Sequence, residues 1–574
     1  MIELNKIGLN QVQLNRLYLN TLSSEQRIRS GGGTGDGFPV LPGDVIRWHF
    51  GGLTNEMMAA MDDPRIEDAD HKGRFLSFKN FAWKGMSGVN GYVQNFNNFK
   101  NNATVDKVRI DEQSSNSIKV TILTTGIGNA IFIAKNIYQF NKSYFIKISS
   151  EGYNEGDLSL SFYAPSTSTA TTVKVPLNPN GITEIPAIKE DDFLAVYLNV
   201  GGKVGSITIE QLPLYPGALV FDGVDDYGAC DNFPILTKEK GYTVVALRQW
   251  ISMGEGISGL VSNVKNWFND GAFVLEYNSN NATNKFVNRP VSFGNVNIEM
   301  DLPNNFTYQT SKSYKGVPIT TGSFKGTNSL FVGKLNNIIG NCSNVAIWEL
   351  VFLDHDATEE ELTKIKDYFV KTYPWLFPDQ AWTVVGKTNE DEDRATIANI
   401  TGNGNDLVLS NFGFIEGSGY NEEGEYAGYL VTDGVDDKAV SKQFKIGENF
   451  TVILDFKFPV KKISYCGFDL SAKVRIQNFQ GSGVSVVLKG NKTLIPSNVV
   501  RAVTSEGKVY DENWNEYNIV PGNISSNYTM VNLGFDGSNQ FAESATKLAG
   551  IYSSTLSKDD CIKAYNYLQT LKAK

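Results

Sequence analysis

Cysteine and histidine are scarce in this sequence, with four cysteines and three histidines among 574 residues. The cysteines are Cys230, Cys342, Cys466 and Cys561. They lie too far apart for a zinc cluster and are too few for a disulfide scaffold, so we expect ordinary buried thiols. No histidine belongs to an HExxH pattern or follows a GxSxG pattern. The sequence therefore offers no template for a metalloprotease or a serine hydrolase.

Runs of basic residues and long apolar segments are also missing. The formal net charge is −10, and no cluster of Lys and Arg provides the basic surface that nucleic-acid binding requires. The longest apolar runs have the length of a strand, far below the roughly 20 residues that cross a bilayer. The first residues lack the basic and apolar regions of a secretory signal. We therefore expect a chain made in the cytosol, without a signal peptide or membrane insertion.

Glycine is abundant, with 54 residues, and aromatic residues make up 12% of the chain. This composition favours many turns between short strands over long helices, so the sequence predicts an all-β protein. The length exceeds what one hydrophobic core normally supports, and several domains are expected.

The first 22 residues carry apolar pairs with a period of five, beginning with Ile2 and Leu4, and asparagine recurs at positions 5, 10, 15 and 20. This period matches neither a helix nor a simple strand, and each unit reads as a very short strand ended by a turn. We predict that residues 1–30 dock onto a partner or onto copies of themselves. The alternative is a strand pair folded onto the next domain. Residues 31–43 form a glycine-rich linker.

The strongest pattern is a module that occurs twice. Five residues recur at identical spacing: Trp48, Gly52, Thr54, Asn55 and Glu56 match Trp382, Gly386, Thr388, Asn389 and Glu390. Further along, Asn80-Phe81 matches Asn411-Phe412, and Asp222–Asp226 has the same sequence as Asp433–Asp437.

The two copies differ in length at one place. Asp222 follows Asn80 by 142 residues, whereas Asp433 follows Asn411 by only 22. The additional 120 residues equal a domain and contain their own series of alternating segments, which predicts an inserted β-sandwich. The predicted strands are 118–123, 130–134, 144–148, 158–163, 193–200 and 206–212. The predicted domains are 44–92 plus 213–376 for the first module, 93–212 for the insertion and 379–574 for the second module.

Each module is predicted to close with one helix, over 358–373 and 557–571. Thr358 and Glu361 form a capping box at the first helix, and Ser557 and Asp560 occupy the same positions at the second. We expect each helix to cover an edge of its sandwich.

These residues carry a resemblance. The stretch 219–227, the Ile-Trp-Glu-Leu of 347–350 and the helix beginning at Thr358 resemble laminin-G-like, concanavalin A-like jelly rolls, and so do 429–437 and 548–571 in the second copy. The stretches 76–92 and 407–420 are similar to virion fibre proteins of crAss-like phages that infect Bacteroidetes, and the repeats at the start are similar to the beginnings of phage fibre proteins. The two copies differ at position 227, a tyrosine, which corresponds to Lys438.

The resemblance implies tandem jelly-roll sandwiches with a nested β-sandwich, and a virion structural protein such as a head or tail fibre. Its modules would adhere to host or mucus glycans or decorate the capsid, without catalysis. It implies a location in the virion, other virion proteins as partners of the N-terminal segment, and a homo-oligomer, with a trimer favoured. The alternatives are a polysaccharide-degrading enzyme and a secreted bacterial adhesin.

One acidic cluster is a candidate metal site. Asp222, Asp225 and Asp226 offer oxygen ligands at short range, which suits Ca²⁺. The alternative is a tight turn whose carboxylates accept backbone N–H bonds. No other cofactor is predicted.

Exposed aromatic residues are candidate glycan contacts, and four lie in a loop-rich stretch: Trp267, Tyr277, Tyr308 and Tyr314. The alternative is that these rings pack in the core. We find no Glu-x-Asp-x-Glu triplet of the kind that glycosidases of this fold carry, and we predict no catalytic residue.

Overall fold

The computed structural model describes residues 28–29, 37–70, 72–164, 173–190, 193–237, 239–252, 257–264, 273–278, 285–288, 296–298, 306–314, 317–318, 327–336, 342–458, 466–471, 473–478, 483–497, 499–524, 526, 528–535 and 541–573. The predicted docking segment and linker therefore lie outside the described residues, except for Ile28–Arg29 and 37–43. Among the described residues, no helix is both long and apolar enough to span a membrane.

The prediction of an all-β protein is confirmed, because the described chain consists of sheets with few helices, and its strand pairs are antiparallel except for β1 with β3. The first strands are β1 (Ile28–Arg29), β2 (Val45–His49), β3 (Arg65–Glu67), β4 (Phe75–Lys79) and β5 (Gly88–Val89). The insertion carries β6 (Lys100–Asn101), β7 (Val108–Gln113), β8 (Ser117–Ile122), β9 (Asn129–Ala134), β10 (Tyr144–Glu151), β11 (Leu158–Tyr163), β12 (Val173–Leu177), β13 (Ile182–Ile185), β14 (Ala195–Asn199) and β15 (Gly205–Gln211).

The first module then continues with β16 (Leu219–Asp222), β17 (Tyr227–Cys230), β18 (Thr243–Ser252), β19 (Ile257–Ser262), β20 (Val274–Asn278), β21 (Lys285–Asn288), β22 (Val296–Ile298), β23 (Phe306–Thr310), β24 (Ser313–Tyr314), β25 (Val317–Pro318), β26 (Leu330–Val332) and β27 (Asn344–Leu353).

The second module contains β28 (Gln380–Thr383), β29 (Thr396–Ile397), β30 (Leu407–Ser410), β31 (Gly419–Asn421), β32 (Tyr429–Asp433), β33 (Lys438–Val440), β34 (Phe444–Lys445), β35 (Thr451–Lys457), β36 (Cys466–Leu470), β37 (Val474–Asn478), β38 (Val484–Leu488), β39 (Asn491–Ile495), β40 (Val499–Thr504), β41 (Lys508–Tyr510), β42 (Glu516–Asn518), β43 (Tyr528–Thr529), β44 (Val531–Leu533) and β45 (Glu543–Tyr552). The α-helices are α1 (Asn55–Ala59), α2 (Glu359–Thr372) and α3 (Lys558–Gln569). Short 3-10 turns span Phe96–Asn98, Lys135–Ile137, Pro374–Leu376 and Gly424–Tyr426.

The two modules share one strand order. One sheet of the first module runs β25-β24-β23-β18-β27-β16-β5 with β2 on β27, and one sheet of the second runs β42-β41-β40-β35-β45-β32-β31 with β28 on β45. The facing sheets run β3-β4-β17-β26-β19-β20-β21-β22, extended by β1, and β29-β30-β33-β44-β36-β37-β38-β39. The repeated sequence motifs therefore belong to two sandwiches of the same topology.

The asparagines of the repeated motif have the same backbone role in both modules. Asn80 and Asn411 both adopt positive φ, 67° and 71°, a region that asparagine tolerates better than most residues. Asn55 clamps the backbone of Val89 through both side-chain atoms, as Asn389 does for Tyr420. These residues shape a loop in each module, so their repetition reflects backbone geometry.

The insertion lies between β5 and β16, which pair with each other in the first module. In the second module the equivalent strands β31 and β32 are joined by residues 422–428 alone. The ten strands of the insertion form two five-stranded sheets, β13-β10-β15-β8-β7 and β12-β11-β14-β9-β6. The Gln211 side chain accepts the backbone N–H groups of Val93 and Gln94, which holds the two ends of the insertion together. The bounds assigned to the five segments of the chain stay predictions.

The predicted capping box is present at α2, where Thr358 and Glu361 bond reciprocally. The expectation that the helices cover sandwich edges is wrong. Ile365 and Phe369 of α2 pack with Val220 and Val351 on the outer face of the central strands of their sheet. Both faces of that sheet are apolar, and the helix buries the outer face. All four cysteines are buried and free, as expected.

Candidate ligand-binding site

The predicted metal residues form a tight turn after β16. Asp222 Oδ1 accepts the N–H groups of Val224 at 2.8 Å and Asp225 at 3.4 Å. Asp226 accepts the N–H of Asp222 through Oδ2 at 3.1 Å and the Ser87 hydroxyl through Oδ1 at 3.0 Å. The ligand atoms of the three carboxylates lie within 4.8 Å of one another.

The second module builds the same turn after β32, which the sequence comparison had matched but not singled out as a metal site. Asp433 Oδ1 accepts the N–H groups of Val435 at 2.8 Å and Asp436 at 3.4 Å, and Asp437 Oδ2 accepts the N–H of Asp433 at 2.9 Å. Its three carboxylates also meet within 4.8 Å. The structure thus adds a second acidic cluster with nearly identical geometry.

Burial governs the acidity of both turns. Burial and, to a smaller extent, the charge of Asp222 raise the pKa of the Asp226 carboxyl to about 7. Burial likewise raises the pKa of Asp437 to about 6. Ca²⁺ takes six to eight oxygen ligands, whereas each turn offers three carboxylates, two of which already accept backbone N–H groups. The hydrogen bonds account for the turn by themselves, and calcium binding stays a prediction.

The described residues among the four predicted aromatics are divided between the two sheets of the first module. Trp267 lies outside the described residues, and for Tyr277 in β20 and Tyr314 in β24 only the strand is described. Tyr308 lies in β23, half-buried, with its ring centroid 5.6 Å from that of Phe306. Burial and the nearby charge of Glu359 raise the pKa of the Tyr308 hydroxyl. Its role in binding stays a prediction.

Tyr308 lines an open groove of about 830 Å³ between the two modules. Glu359, Leu362 and Lys366 of α2 form one wall, and Asn403 and Ser553 of the second module form the other. Phe377 and Asp379 lie between them, in the segment that joins the modules. A pocket of a few hundred Å³ or more accommodates a small ligand or part of a polymer chain.

The polar groups of this groove belong to both modules. The amide of Asn403 donates to the carbonyl of Asp379 at 2.6 Å, and the Thr401 hydroxyl donates to the same carbonyl at 3.2 Å. The Asp379 carboxylate accepts the N–H of Ser553. These bonds hold the linking segment against the second module, so the groove has fixed walls. The groove residues between 359 and 553 could not be predicted from the sequence, because no sequence motif joins them.

No protein-family model and no curated protein matches the chain. Among solved structures, it is similar to a Trypanosoma rangeli sialidase in complex with sialic acid, at 9% identity over 79% of this chain and 82% of the other, with a TM-score of 0.26. It is also similar to the botulinum neurotoxin type G receptor-binding domain, at 9% identity over 57% and 75% of the two chains, with a TM-score of 0.23. The binding domain of Paraclostridial Mosquitocidal Protein 1 matches at 14% identity over 32% and 51%, with a TM-score of 0.21. At these TM-scores the likenesses carry no argument about function.

Proposed function

We propose that this chain is a structural attachment protein of a virion, a head or tail fibre or a similar appendage, whose sandwiches adhere to glycans or decorate the capsid. One observation carries the proposal: the two modules and the insertion share a single apolar core besides their own cores. A large apolar interface between domains resists relative motion. A rigid body of three sandwiches suits an appendage that must hold a binding surface at a fixed distance.

The join between the two modules is built around Trp375, which is 7% exposed. The Tyr552 hydroxyl of the second module donates to its carbonyl at 3.0 Å, and the ammonium group of Lys563 lies 4.3 Å from its ring centroid. Gln249 of the first module donates to the Thr570 hydroxyl at 2.7 Å. Helix α3 therefore rests against the end of the first module.

The insertion joins the same core through Phe145, whose ring meets Tyr565 edge to face at 5.5 Å. Tyr565 also meets Trp514 of its own module at 5.8 Å, and the guanidinium of Arg501 lies 4.7 Å from its ring centroid. Arg501 in turn reaches Glu184 of the insertion at 3.5 Å. The nested domain is thus packed against the second module although it is inserted into the first.

The N-terminal segment supplies the attachment to other virion proteins in this proposal, and a trimer is the expected assembly. Fibres are symmetric oligomers, and a repeated short-strand segment ahead of a glycine-rich linker is suited to pairing with copies of itself. The location in a virion rests on the sequence resemblance of 76–92 and 407–420 to phage fibre proteins.

The native mass of the full chain and of a version starting at Phe38 tests this proposal. We expect light scattering to give a trimer for the full chain and a monomer for the shortened one. A monomer in both cases would contradict assembly through the N-terminal segment.

The proposal also holds that the chain works without catalysis. Incubation with bacterial capsular polysaccharide is expected to release no reducing ends, measured colorimetrically against a known hydrolase. Release that a single carboxylate-to-amide change abolishes would favour the polysaccharide-degrading enzyme instead.

A further inference from the structure

The insertion presents one sheet with two different faces. In β11, β14 and β9 the residues Phe162, Val196 and Ile131 point into the core of the insertion. Side chains alternate along a strand, so their neighbours point outwards. The outward residues of the β12-β11-β14-β9-β6 sheet include three aromatic rings that belong to no apolar cluster.

Phe132 and Tyr197 are direct partners on β9 and β14. Their ring centroids lie 5.8 Å apart and their planes are tilted by 33°, so the two rings form one adjoining aromatic surface. Tyr163 stands beside them, 6.0 Å from Tyr197 with an interplanar angle of 87°, and is 43% exposed. The arrangement is a tilted pair of rings with a third ring nearly perpendicular to Tyr197.

Polar groups flank the rings. Two residues along the strand from Tyr197, the Asn199 amide donates to Asn129 Oδ1 at 3.1 Å, and both asparagines are partly exposed. Asparagine side chains donate and accept hydrogen bonds, which suits the hydroxyl groups of a sugar. Ser161, the partner of Tyr197 on β11, is buried.

Two lysines lie at the two ends of a row of paired residues that crosses this sheet. Lys174 is the partner of Ser161 on β12, and Lys100 is the partner of Phe132 on β6. The row Lys174, Ser161, Tyr197, Phe132 and Lys100 therefore crosses all five strands, about 19 Å at 4.8 Å per strand. Both lysines are exposed. Neither pairs with a carboxylate within the described residues, and the outward positions of these strands carry none.

We propose that this aromatic face of the insertion, defined by Phe132, Tyr163, Tyr197, Lys100 and Lys174, binds an acidic polysaccharide. The flat, less polar faces of two sugar rings lie on Phe132 and Tyr197, and carboxylates of the chain meet the two lysines. The charge decides the class of ligand. A protein with a net charge of −10 repels a polyanion over most of its surface. Among the described residues, this face has two exposed lysines and no outward carboxylate on its strands, so a polyanion can approach it. This inference rests on the proposed attachment function.

Affinity electrophoresis of the full chain tests the proposal, in native gels that contain alginate, polygalacturonate or neutral dextran. We expect retardation by the two acidic polymers and not by dextran. Raising the salt concentration to about 1 M, where the Debye length falls to about 3 Å, should weaken the retardation.

The variants Y197A and K100E/K174E are each expected to weaken binding on the order of tenfold, the effect of removing a central contact. The control is Tyr528→Ala in the second module. Tyr528 is 54% exposed, so the change removes the same type of aromatic side chain from the surface of another sandwich. Melting temperatures close to that of the wild type show that the variants are folded.

Each outcome separates the inference from the proposed function. Retardation that Y197A and K100E/K174E retain, or that Y528A loses, overturns the aromatic face and leaves glycan attachment standing. If Y197A loses retardation while K100E/K174E keeps it, and dextran retards the wild type as strongly as the acidic polymers do, the acidic class of ligand is overturned. A wild-type chain that no polymer retards overturns both this inference and the glycan-binding part of the proposed function.

Discussion

At the scale of single residues, the two acidic turns are the most sensitive points of the modules. Each holds a buried carboxyl, Asp226 or Asp437, that receives a backbone N–H from four residues upstream. The free energy of desolvating these carboxylates opposes the hydrogen bonds they accept, and the balance depends on pH.

The raised pKa values of Asp226 and Asp437 predict a pH-dependent stability. A carboxyl with a pKa of about 7 in the folded chain and an ordinary one when unfolded binds more protons in the folded state. Its stabilising contribution is complete below the unfolded pKa and is lost as pH rises through about 7. We expect the double variant D226N/D437N to flatten the decline in unfolding free energy between about pH 5 and pH 8, by roughly 2 kcal/mol.

Urea unfolding of both proteins across this pH range measures the effect. Asparagine retains an acceptor for the backbone N–H and remains uncharged. D231N is the control, since Asp231 is exposed and lies outside both turns. A wild-type curve that rises towards pH 8 would show that the carboxyls are not held neutral.

Calcium gives a separate test of the same turns. If the predicted metal site forms, Ca²⁺ in the millimolar range should raise the melting temperature of the wild type at about pH 7.5, because a ligand that binds only the folded state stabilises it. The D226N/D437N variant should not respond. Equal melting temperatures with Ca²⁺ and with a chelator would leave the turns as hydrogen-bonded structure only.

At the scale of elements, β35, β40 and α3 enclose an ion pair under the insertion. Burial would raise the pKa of Asp455, but the charges of Arg501 and Lys547 and the hydrogen bonds from Gln569 and Arg501 together keep the pKa below its usual range. The Tyr429 hydroxyl and the Gln569 amide also donate to this carboxylate, both at 2.9 Å. Arg501 therefore connects two strands, a helix and, through Glu184, the nested domain.

The variant R501M should be strongly destabilised, because it leaves the carboxylate of Asp455 buried without its cation. Removing one partner of a buried pair costs about 3–5 kcal/mol. The matched control is K508M, which removes an ion pair with Glu516 whose two side chains are 41% and 36% exposed. That change should cost less than about 1 kcal/mol. Urea unfolding compares the two, and similar losses would contradict a special role for Arg501.

Much of the element order was accessible from the sequence. The six strands predicted for the insertion are β8, β9, β10, β11, β14 and β15 within a few residues, because each alternates apolar and polar side chains. Strands β6, β7, β12 and β13 were missed. In β12 a proline interrupts the pattern, and β7 ends in the polar run Asp111–Gln113. Strands β6 and β13 have two and four residues, too few for periodicity to register.

At the scale of the whole molecule, the nested domain and the modules form one packed body. The ends of the insertion meet at Gln211, and the second module closes the equivalent connection with residues 422–428. Both facts indicate that the insertion and its host fold around separate cores and gain additional stability where they touch.

Excising residues 93–212 and substituting the connection 422–428 tests this independence. We expect a folded protein with a cooperative thermal transition, since the second module forms the same hairpin without an insertion. Its melting temperature should fall by several degrees, because Tyr565 loses its contact with Phe145. An unfolded product by circular dichroism would show that the host depends on the insertion, and an unchanged melting temperature would show that the shared core contributes little.

The sequence by itself determined the duplicated module, its all-β class and the place of the insertion. Those features are local: glycine and asparagine at positive φ, short alternating strands and a capping box are recorded in neighbouring residues. Only the tertiary structure decided the groove at Tyr308, the face of the sheet on which each helix lies and the shared core. These join residues such as Arg501 and Glu184, 317 positions apart, whose proximity depends on how three sandwiches pack. Which rings point outwards, as Tyr197 does, likewise follows from strand register, which long-range pairing sets.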